Sequence, residues 1–333
     1  MDEHLAAQGI RFRDFRPEDI PVWVDIRNRT SPDEPHTVEQ VEYQERTYPA
    51  DNPRRRYAVE SAEGKFIGLG ACEQPLQLKA PGVYFLWMIV DPDWRRCGIG
   101  QALLAQLAEY ARQQGAQRLW TACKENQDYS IRFLQHAGFT NYGLRFESSL
   151  DLTAFDEQPF SGAIERARQA GFEFTDLAAE RLINPDADRQ LYEIDRETRA
   201  EVPWPGGARS ELTYEQFRQR ALDGPDADPT GILIAKRAGK MVGLTALWLR
   251  KGIPLGYTAM TGVQRESRGQ GVALALKLLS FRLMKERGCT EARTNNDTAN
   301  PPILRLNEKL GYHKRPGVML WERMLDHPGE IHD

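Results

Sequence analysis

Apolar residues recur every three or four positions in two separate stretches of this chain. Ile99, Leu103, Leu107 and Ala111, with Leu104 and Ala108 beside them, form one stripe. Val272, Leu276, Leu279 and Leu283 form the other. That spacing predicts an amphipathic helix in each place. Gly115 and Gly288 follow the stripes and are predicted to end the helices, where a residue free to take positive φ is wanted. An apolar run precedes each helix, Val83–Val90 in one case and Gly256–Val263 in the other, and each run is predicted to be a strand. Further upstream, Ile10–Phe15 and Phe172–Asp176 are predicted as opening strands, each followed by a polar, proline-punctuated helical region. Two-strand segments then turn at Ala62-Glu63-Gly64 and Arg237-Ala238-Gly239. A strand and a shorter helix close each half.

This parallel order is a repeat. Val90-Asp-Pro-Asp-Trp-Arg95-Arg96-Cys97-Gly98-Ile99-Gly100-Gln101 aligns with Val263-Gln-Arg-Glu-Ser-Arg268-Gly269-Gln270-Gly271-Val272-Ala273-Leu274 at an offset of 173. The same offset relates Gly115 to Gly288 and Gly138 to Gly311, while Phe66–Ala71 and Met241–Ala246 correspond at 175. A constant offset over about fifty residues indicates tandem duplication. The expected organisation is one domain over residues 1–155, a linker or short helix over 156–171, and a second, like domain over 172–333.

Length and composition agree with that organisation. The 333 residues suit two domains, and 41% hydrophobic with 28% charged residues is globular composition. With 44 Lys+Arg against 48 Asp+Glu, the balance argues against an electrostatically driven nucleic-acid binder. No apolar run is long enough to span a bilayer, and the N-terminus lacks the pattern of a signal peptide, so no membrane association and a cytoplasmic location are expected. Cys72, Cys97, Cys123 and Cys289 are scattered, without metal-ligand spacing to the six histidines. They are expected to be reduced thiols, and no metal is expected.

The order strand, Arg-x-x-Gly-x-Gly/Ala, helix places free backbone N–H groups at a helix start. Glycine lets the backbone approach a ligand closely. Unpaired N–H groups and the positive end of the helix dipole favour a phosphate there. Arg95, Arg96 and Arg268 add charge-assisted donors. Neither nucleotide fingerprint fits: Leu103 and Leu276 stand where a Rossmann loop needs its third glycine, and Gly-Lys-Ser/Thr is absent.

On these residues each half resembles the GNAT superfamily of acyl-CoA-dependent N-acetyltransferases. Thr261-Gly262-Val263, Ala275-Leu276-Lys277, Thr294-Asn295, Asn300 and Asn307-Glu308-Lys309-Leu310-Gly311-Tyr312 match one subtype of it. The resemblance implies an α/β (α+β) fold of two tandem domains. Each is a mixed, splayed, mostly antiparallel sheet flanked by helices. It implies direct transfer of an acetyl group from acetyl-CoA to a primary amine of a small molecule or peptide. The implied CoA contacts are Met88, Ile89, Val90, Arg95, Arg96, Cys97, Gly98, Ile99, Gly100, Gln101 and Asn126 in the first half. In the second they are Thr261, Val263, Arg268, Gly269, Gln270, Gly271, Val272, Ala273, Asn295 and Asn300.

The family pattern is broken at the catalytic positions. A tyrosine four residues before the Gly-Phe pair often protonates the departing thiolate, but Leu134 and Asn307 stand there. The strand glutamate that serves relatives as base is missing from both runs. Glu73 is the nearest carboxylate on a neighbouring element, with a solvated strand-end role as its competing reading. Asp91 is expected to start an Asp-Pro turn. Cys97 has Gln270 as its counterpart and is read as incidental. Glu201 and Trp204 fall where such folds line the acceptor site, or else belong to a structural proline-rich loop. Two classes of function therefore stand. One is an acetyltransferase with at least one active domain, either a monomer with pseudo-dimeric domain pairing or a homodimer. The other is a module that binds acetyl-CoA without catalysis, as scaffold or sensor. Some tandem proteins of this kind are synthases of a protected cysteine thiol cofactor, and no residue here specifies that.

Overall fold

The computed structural model describes residues 3–32, 35–76, 81–202, 211–250, 252–297 and 300–325. Its described residues divide into two compact units, one within residues 3–143 and 319–325, the other within residues 144–202 and 211–318.

The first unit opens with α1 (Glu3–Ala7), β1 (Arg11–Asp14), α2 (Ile20–Thr30) and α3 (Val38–Thr47). There follow β2 (Arg54–Glu60), β3 (Phe66–Glu73), β4 (Val83–Val90), α4 (Ile99–Gln113), β5 (Arg118–Lys124) and α5 (Asp128–His136). Strands β1 to β5 lie in sequential order and the chain's last strand, β13 (Val318–Met324), lies beside β5. All the pairings from β1 to β4 are antiparallel, and β4 with β5 is parallel. Period-2 alternation along β4 serves both faces of the sheet. Tyr84 and Leu86 pack with Leu104, Leu107 and Ala111 of α4, whereas Trp87 and Ile89 pack with Trp23, Val24 and Ile26 of α2. Strand β13 is tied in through Glu322, whose carboxylate accepts hydrogen bonds from Arg118 Nη1 (3.2 Å) and Trp120 Nε1 (3.3 Å).

The second unit runs β6 (Thr140–Asp151), α6 (Ala163–Gln169), β7 (Phe172–Asp176), α7 (Leu177–Ile183), α8 (Ala187–Ala200) and α9 (Tyr214–Ala221). After these come β8 (Ile232–Arg237), β9 (Lys240–Leu249), β10 (Leu255–Val263), α10 (Val272–Glu286), β11 (Glu291–Asp297), α11 (Pro301–Lys309) and β12 (His313–Lys314). Its sheet order is β6-β11-β10-β9-β8-β7, with β12 also on β6. Helices α6 and α10 cover one core, and α7, α8 and α9 cover the other. Arg293 and Arg315 each pair with both Glu147 and Glu291, closing a four-member ion-pair ring that ties β6 and β11 to the residue after β12.

The 173-residue offset survives in three dimensions to the residue: α4 against α10, β5 against β11 and α5 against α11 all begin and end in register. Gly115 and Gly288 do end their helices at positive φ, +76° and +78°. The segment 156–171, expected as a linker or short helix, contains the short helix α6, whose Ala163, Ile164 and Ala167 are buried in the core of the second unit. One detail differs from the sequence expectation. The units are not continuous in sequence: residues 144–151 of β6 belong to the second unit, and residues 319–324 of β13 to the first. Each copy of the repeat thus ends in a strand that completes the other copy's sheet. Alternating burial along a strand does not specify which sheet edge receives it, so the repeat pattern alone cannot place these two.

Candidate active site

In the first unit β4 and β5 run side by side only at Val83–Arg118, Tyr84–Leu119 and Phe85–Trp120. Beyond Phe85 they diverge, and the edge of β4 from Trp87 to Val90 has no strand beside it on that side among the described residues. A parallel ladder that ends mid-strand leaves backbone N–H and C=O groups to be satisfied by something else. The same divergence occurs in the second unit, where β10 and β11 pair from Leu255–Glu291 to Thr258–Thr294 and no further.

At the open end of each V sits the Arg/Gly loop. Asp91 accepts a hydrogen bond from the Asp93 N–H and starts the Asp-Pro turn that the sequence suggests. Burial pushes its carboxyl up, but the Arg29 hydrogen bond and the Asp93 N–H outweigh that and hold it below the usual range. Arg95 Nε then donates to the Val90 carbonyl (3.3 Å), and Arg268 Nε donates to the Val263 carbonyl (2.9 Å). The arginine therefore braces the strand end identically in both copies. Gly98 (φ +88°) and Gly271 (φ +83°) cap α4 and α10 in the left-handed region, with no side chain closing the cap. The first-turn N–H groups of both helices are left facing outward, as an anion site requires.

The surroundings of the two loops differ. In the first unit a cavity of about 690 Å³ occupies the divergence. Its walls include Trp87–Val90 of β4, Arg95, Arg96 and Gly98–Gln101 of the loop and helix start, and Thr121–Cys123 of β5. Arg95 has no carboxylate partner among the described residues, and its guanidinium lies over the Tyr129 ring at 4.2 Å. In the second unit Arg268 and Arg265 both bind Glu201, at 2.7 and 3.2 Å. The hydrogen bond from Arg268 holds the Glu201 carboxyl below the usual carboxylate range. A carboxylate thus already pairs with the arginine of the second loop. Helix α8 also presses on β10 there, since a Cβ on Gly262 would lie 2.4 Å from Thr198 Oγ1.

Backbone detail separates the copies as well. The β3–β4 ladder is continuous, whereas β9–β10 shifts register between Thr258 and Met260. The bulged residue, Ala259, is left outside the ladder. Arg96 takes φ +69°, the conformation its counterpart Gly269 takes at +74°. A side chain held there costs about 1–2 kcal/mol. Arg96→Gly is accordingly expected to raise the melting temperature by about 2–4 °C in a thermal scan while weakening phosphate binding at the loop. A lower melting temperature would show that the side chain contributes more than its backbone costs.

Most residues picked from the sequence for the first half come together. Met88, Ile89, Val90, Arg95, Arg96, Gly98, Ile99, Gly100 and Gln101 all line the large cavity. Cys97 sits within the loop with its thiol toward the Arg95 carbonyl, and Asn126 lines a smaller adjoining pocket. Glu73 ends β3 opposite Phe85 and shares the α2/α3 face of the sheet with Phe85 and Trp87. Burial raises its pKa against the opposing charge of Arg54. Leu134 is buried and forms part of the cavity wall. In the second half, Thr261 shares a hydrogen bond with Thr245 and Asn307 is buried against Asn296. Glu201 contacts the loop arginines, and Trp204 lies outside the described residues. The sequence reading missed Arg27, Thr30, Ser31, Gln127 and Phe133 of the cavity wall. Arg27 and Thr30, one helical turn apart on α2, were the available signal.

The acetyltransferase (GNAT) family profile matches residues 22–139 and 188–312. A mycothiol acetyltransferase from Thermomonospora curvata is 26% identical over 227 residues, which is 68% of this chain and 69% of that protein. A solved tandem GNAT protein from the clavulanic acid biosynthesis pathway has the same fold, with a TM-score of 0.72 at 21% identity over 95% of this chain and 98% of that one. A GCN5-related N-acetyltransferase from Sphaerobacter thermophilus gives 0.66 at 19% identity, over 95% of each chain. Two copies of a splayed sheet with an anion-binding loop, each matched by one profile, have one explanation: this chain belongs to the acetyltransferase (GNAT) family.

Proposed function

We propose that the chain is an acetyl-CoA-dependent N-acetyltransferase whose reaction takes place in the first unit. The observation that carries this reading is the open 690 Å³ cleft, which joins an unpaired strand edge to an anion loop whose Arg95 has no carboxylate partner among the described residues. The residues fit the donor: free N–H groups at Ile99, Gly100 and Gln101, with Arg95 and Arg96, suit a pyrophosphate. The Met88–Val90 edge suits an extended chain bearing amide groups. Asn126 extends the binding surface beyond β5. Acetyl-CoA supplies the acetyl group as an activated thioester.

The protein's own work is to position and to move protons. The β4 edge and the loop orient the donor, and Trp87 and Phe133 help exclude water from the cleft. A backbone N–H of the diverging strand stabilises the developing oxyanion. Glu73, with its raised pKa and its place on the Phe85–Trp87 face, takes the proton from the attacking amine, directly or through one water. Leu134 offers the departing thiolate no proton, so that step relies on solvent or acceptor.

In the second unit the candidate contacts are Thr261, Val263, Arg268 to Ala273, Asn295 and Asn300, and the loop's Arg268 already binds Glu201. Glu201→Gln is expected to raise CoA affinity there about tenfold in titration calorimetry. No change would mean that Glu201 does not compete for the loop. One observation favours the second unit as the catalytic one, the Ala259 bulge, which frees a strand amide near the apex of the V. The overall reading is tested by incubating the full chain with acetyl-CoA and a panel of amines while free thiol is measured. The acceptor of the mycothiol acetyltransferases is the first compound to include. Thiol release dependent on an acceptor is expected; CoA binding without release for any acceptor would make the chain a binding module.

A further inference from the structure

Glu73 closes β3, with Arg54 of β2 directly across from it on one side and Phe85 of β4 on the other. Cross-strand partners share a face of the sheet, which makes Arg54 the expected ion-pair partner of this carboxylate. Arg54 is bound elsewhere. Glu45, in the last turn of α3, takes both Arg54 (3.2 and 3.0 Å) and Arg56 (2.8 and 2.6 Å) in two-pronged pairs. Two cations and two carboxylates thus share this corner, and both cations go to one carboxylate. Glu73 makes no ion pair among the described residues. It is held instead by the hydroxyl of Tyr48, the residue that ends α3. Asn52 Nδ2 donates to that hydroxyl and to the Gln74 carbonyl, so the single hydroxyl proton is left for Glu73. The Tyr48 ring also carries the Arg54 guanidinium, 3.7 Å from its centroid. Helix α2 brings Arg27 to the same face, over the Trp23 and Trp87 rings, and Cys72 beside Glu73 is a buried thiol. Burial raises the Glu73 pKa, and the Glu45 charge adds to the rise against Arg54, Arg56 and the Tyr48 hydrogen bond.

We propose that Glu45 and Tyr48 are positioning residues for the first unit's reaction: Glu45 withholds Arg54 and Arg56 from Glu73, and Tyr48 fixes the orientation of the Glu73 carboxylate. A carboxylate paired with arginine resists taking up a proton, so a base placed opposite an arginine needs that pairing prevented. A second carboxylate that binds the arginines more closely does this without removing them from the sheet. The inference rests on the reading that Glu73 is the base of the first unit.

The test titrates Glu73 in the full chain by NMR of glutamate labelled at the side-chain carboxyl, with Glu73→Gln identifying its signal. Glu45→Gln frees both arginines for Glu73 and should lower its midpoint by about 1 pH unit. Tyr48→Phe removes a hydrogen bond to the charged form and should raise the midpoint by about 0.5 pH unit. Glu45→Asp keeps the charge and should leave the midpoint close to that of the wild type. The acid limb of thiol release with an amine acceptor should move with the midpoint in each variant. Midpoints that stay put overturn the proposal while leaving Glu73 as the base. So do midpoints that move the same way in Glu45→Gln and Tyr48→Phe, as general loosening would make them. A shift in Glu45→Asp as large as that in Glu45→Gln overturns it too, because packing and not charge would then set the midpoint. Thiol release by Glu73→Gln at the wild-type rate overturns the base reading itself.

Discussion

Gly98→Trp is expected to lower kcat/KM for acetyl-CoA by about 100-fold or more, and Gly271→Trp to leave it within about threefold. Both glycines sit in the left-handed region at helix starts, at φ +88° and +83°. A Cβ at Gly98 would meet only Leu5 Cδ2, at 3.8 Å, and at Gly271 it would meet nothing within 4 Å. A Cβ at either position thus leaves the backbone without displacing protein atoms, and in the first unit the indole beyond it is expected to fill the proposed anion site. The strain of a side chain at positive φ, about 1–2 kcal/mol, is common to any replacement. Gly98→Ala therefore serves as the control: it carries the strain without the bulk and should retain far more activity than the tryptophan variant. Steady-state kinetics with thiol read-out gives both ratios. If Gly271→Trp is the inactivating change, the chemistry belongs to the second unit, and the Ala259 bulge outweighs the Glu201 contact. If neither variant loses activity, the loops do not hold the donor.

The loops, helices and strands of this site were legible because their signals are local. A 3.6-residue stripe, a glycine at a helix cap and a repeated Arg-x-x-Gly each act over a single turn of chain, and a constant offset doubles every such signal. What separates the two copies is not local. Glu201 meets Arg268 across 67 residues of sequence, and Thr198 meets Gly262 across 64. No pattern around Glu201 marks it as the partner of a loop arginine instead of an acceptor contact. The exchanged ends of β6 and β13 were hidden for a similar reason. Their alternation predicts a strand with one buried face, which is satisfied equally by either sheet. Trp87 packs with Trp23 at 5.2 Å between ring centroids, and it also walls the cleft. A residue at the point where two strands part belongs to both environments, and composition cannot separate them.

Lys277 presents the other large expected effect, on stability and its dependence on pH. It sits on the inner face of α10, 1% exposed, with Nζ 5.3 Å from the centroid of the Tyr312 ring. No carboxylate pairs with it among the described residues. Burial alone drives its pKa down to about 7. In the unfolded chain a lysine titrates near 10.4. Between those two values the unfolded state binds a proton that the folded state does not, so stability rises with pH through that window. Below about pH 7 both states are protonated and the lysine adds no further dependence. At pH 7.5 folding must therefore either strip the proton or bury the charge. Lys277→Met keeps the aliphatic length and removes the amine, so it should stabilise the fold at pH 7.5 by on the order of 3 kcal/mol. That corresponds to a melting temperature higher by at least about 5 °C for domains of this size. The gain should shrink steadily at pH 8.5 and 9.5, where the wild-type amine approaches neutrality in both states. Thermal unfolding of the two proteins at the three pH values measures it. A gain that is constant with pH would assign the effect to packing instead of titration. A lower melting temperature for the variant at pH 7.5 would mean that the ammonium over Tyr312 is stabilised where it lies, making Lys277 a buried cation that the core is built to hold.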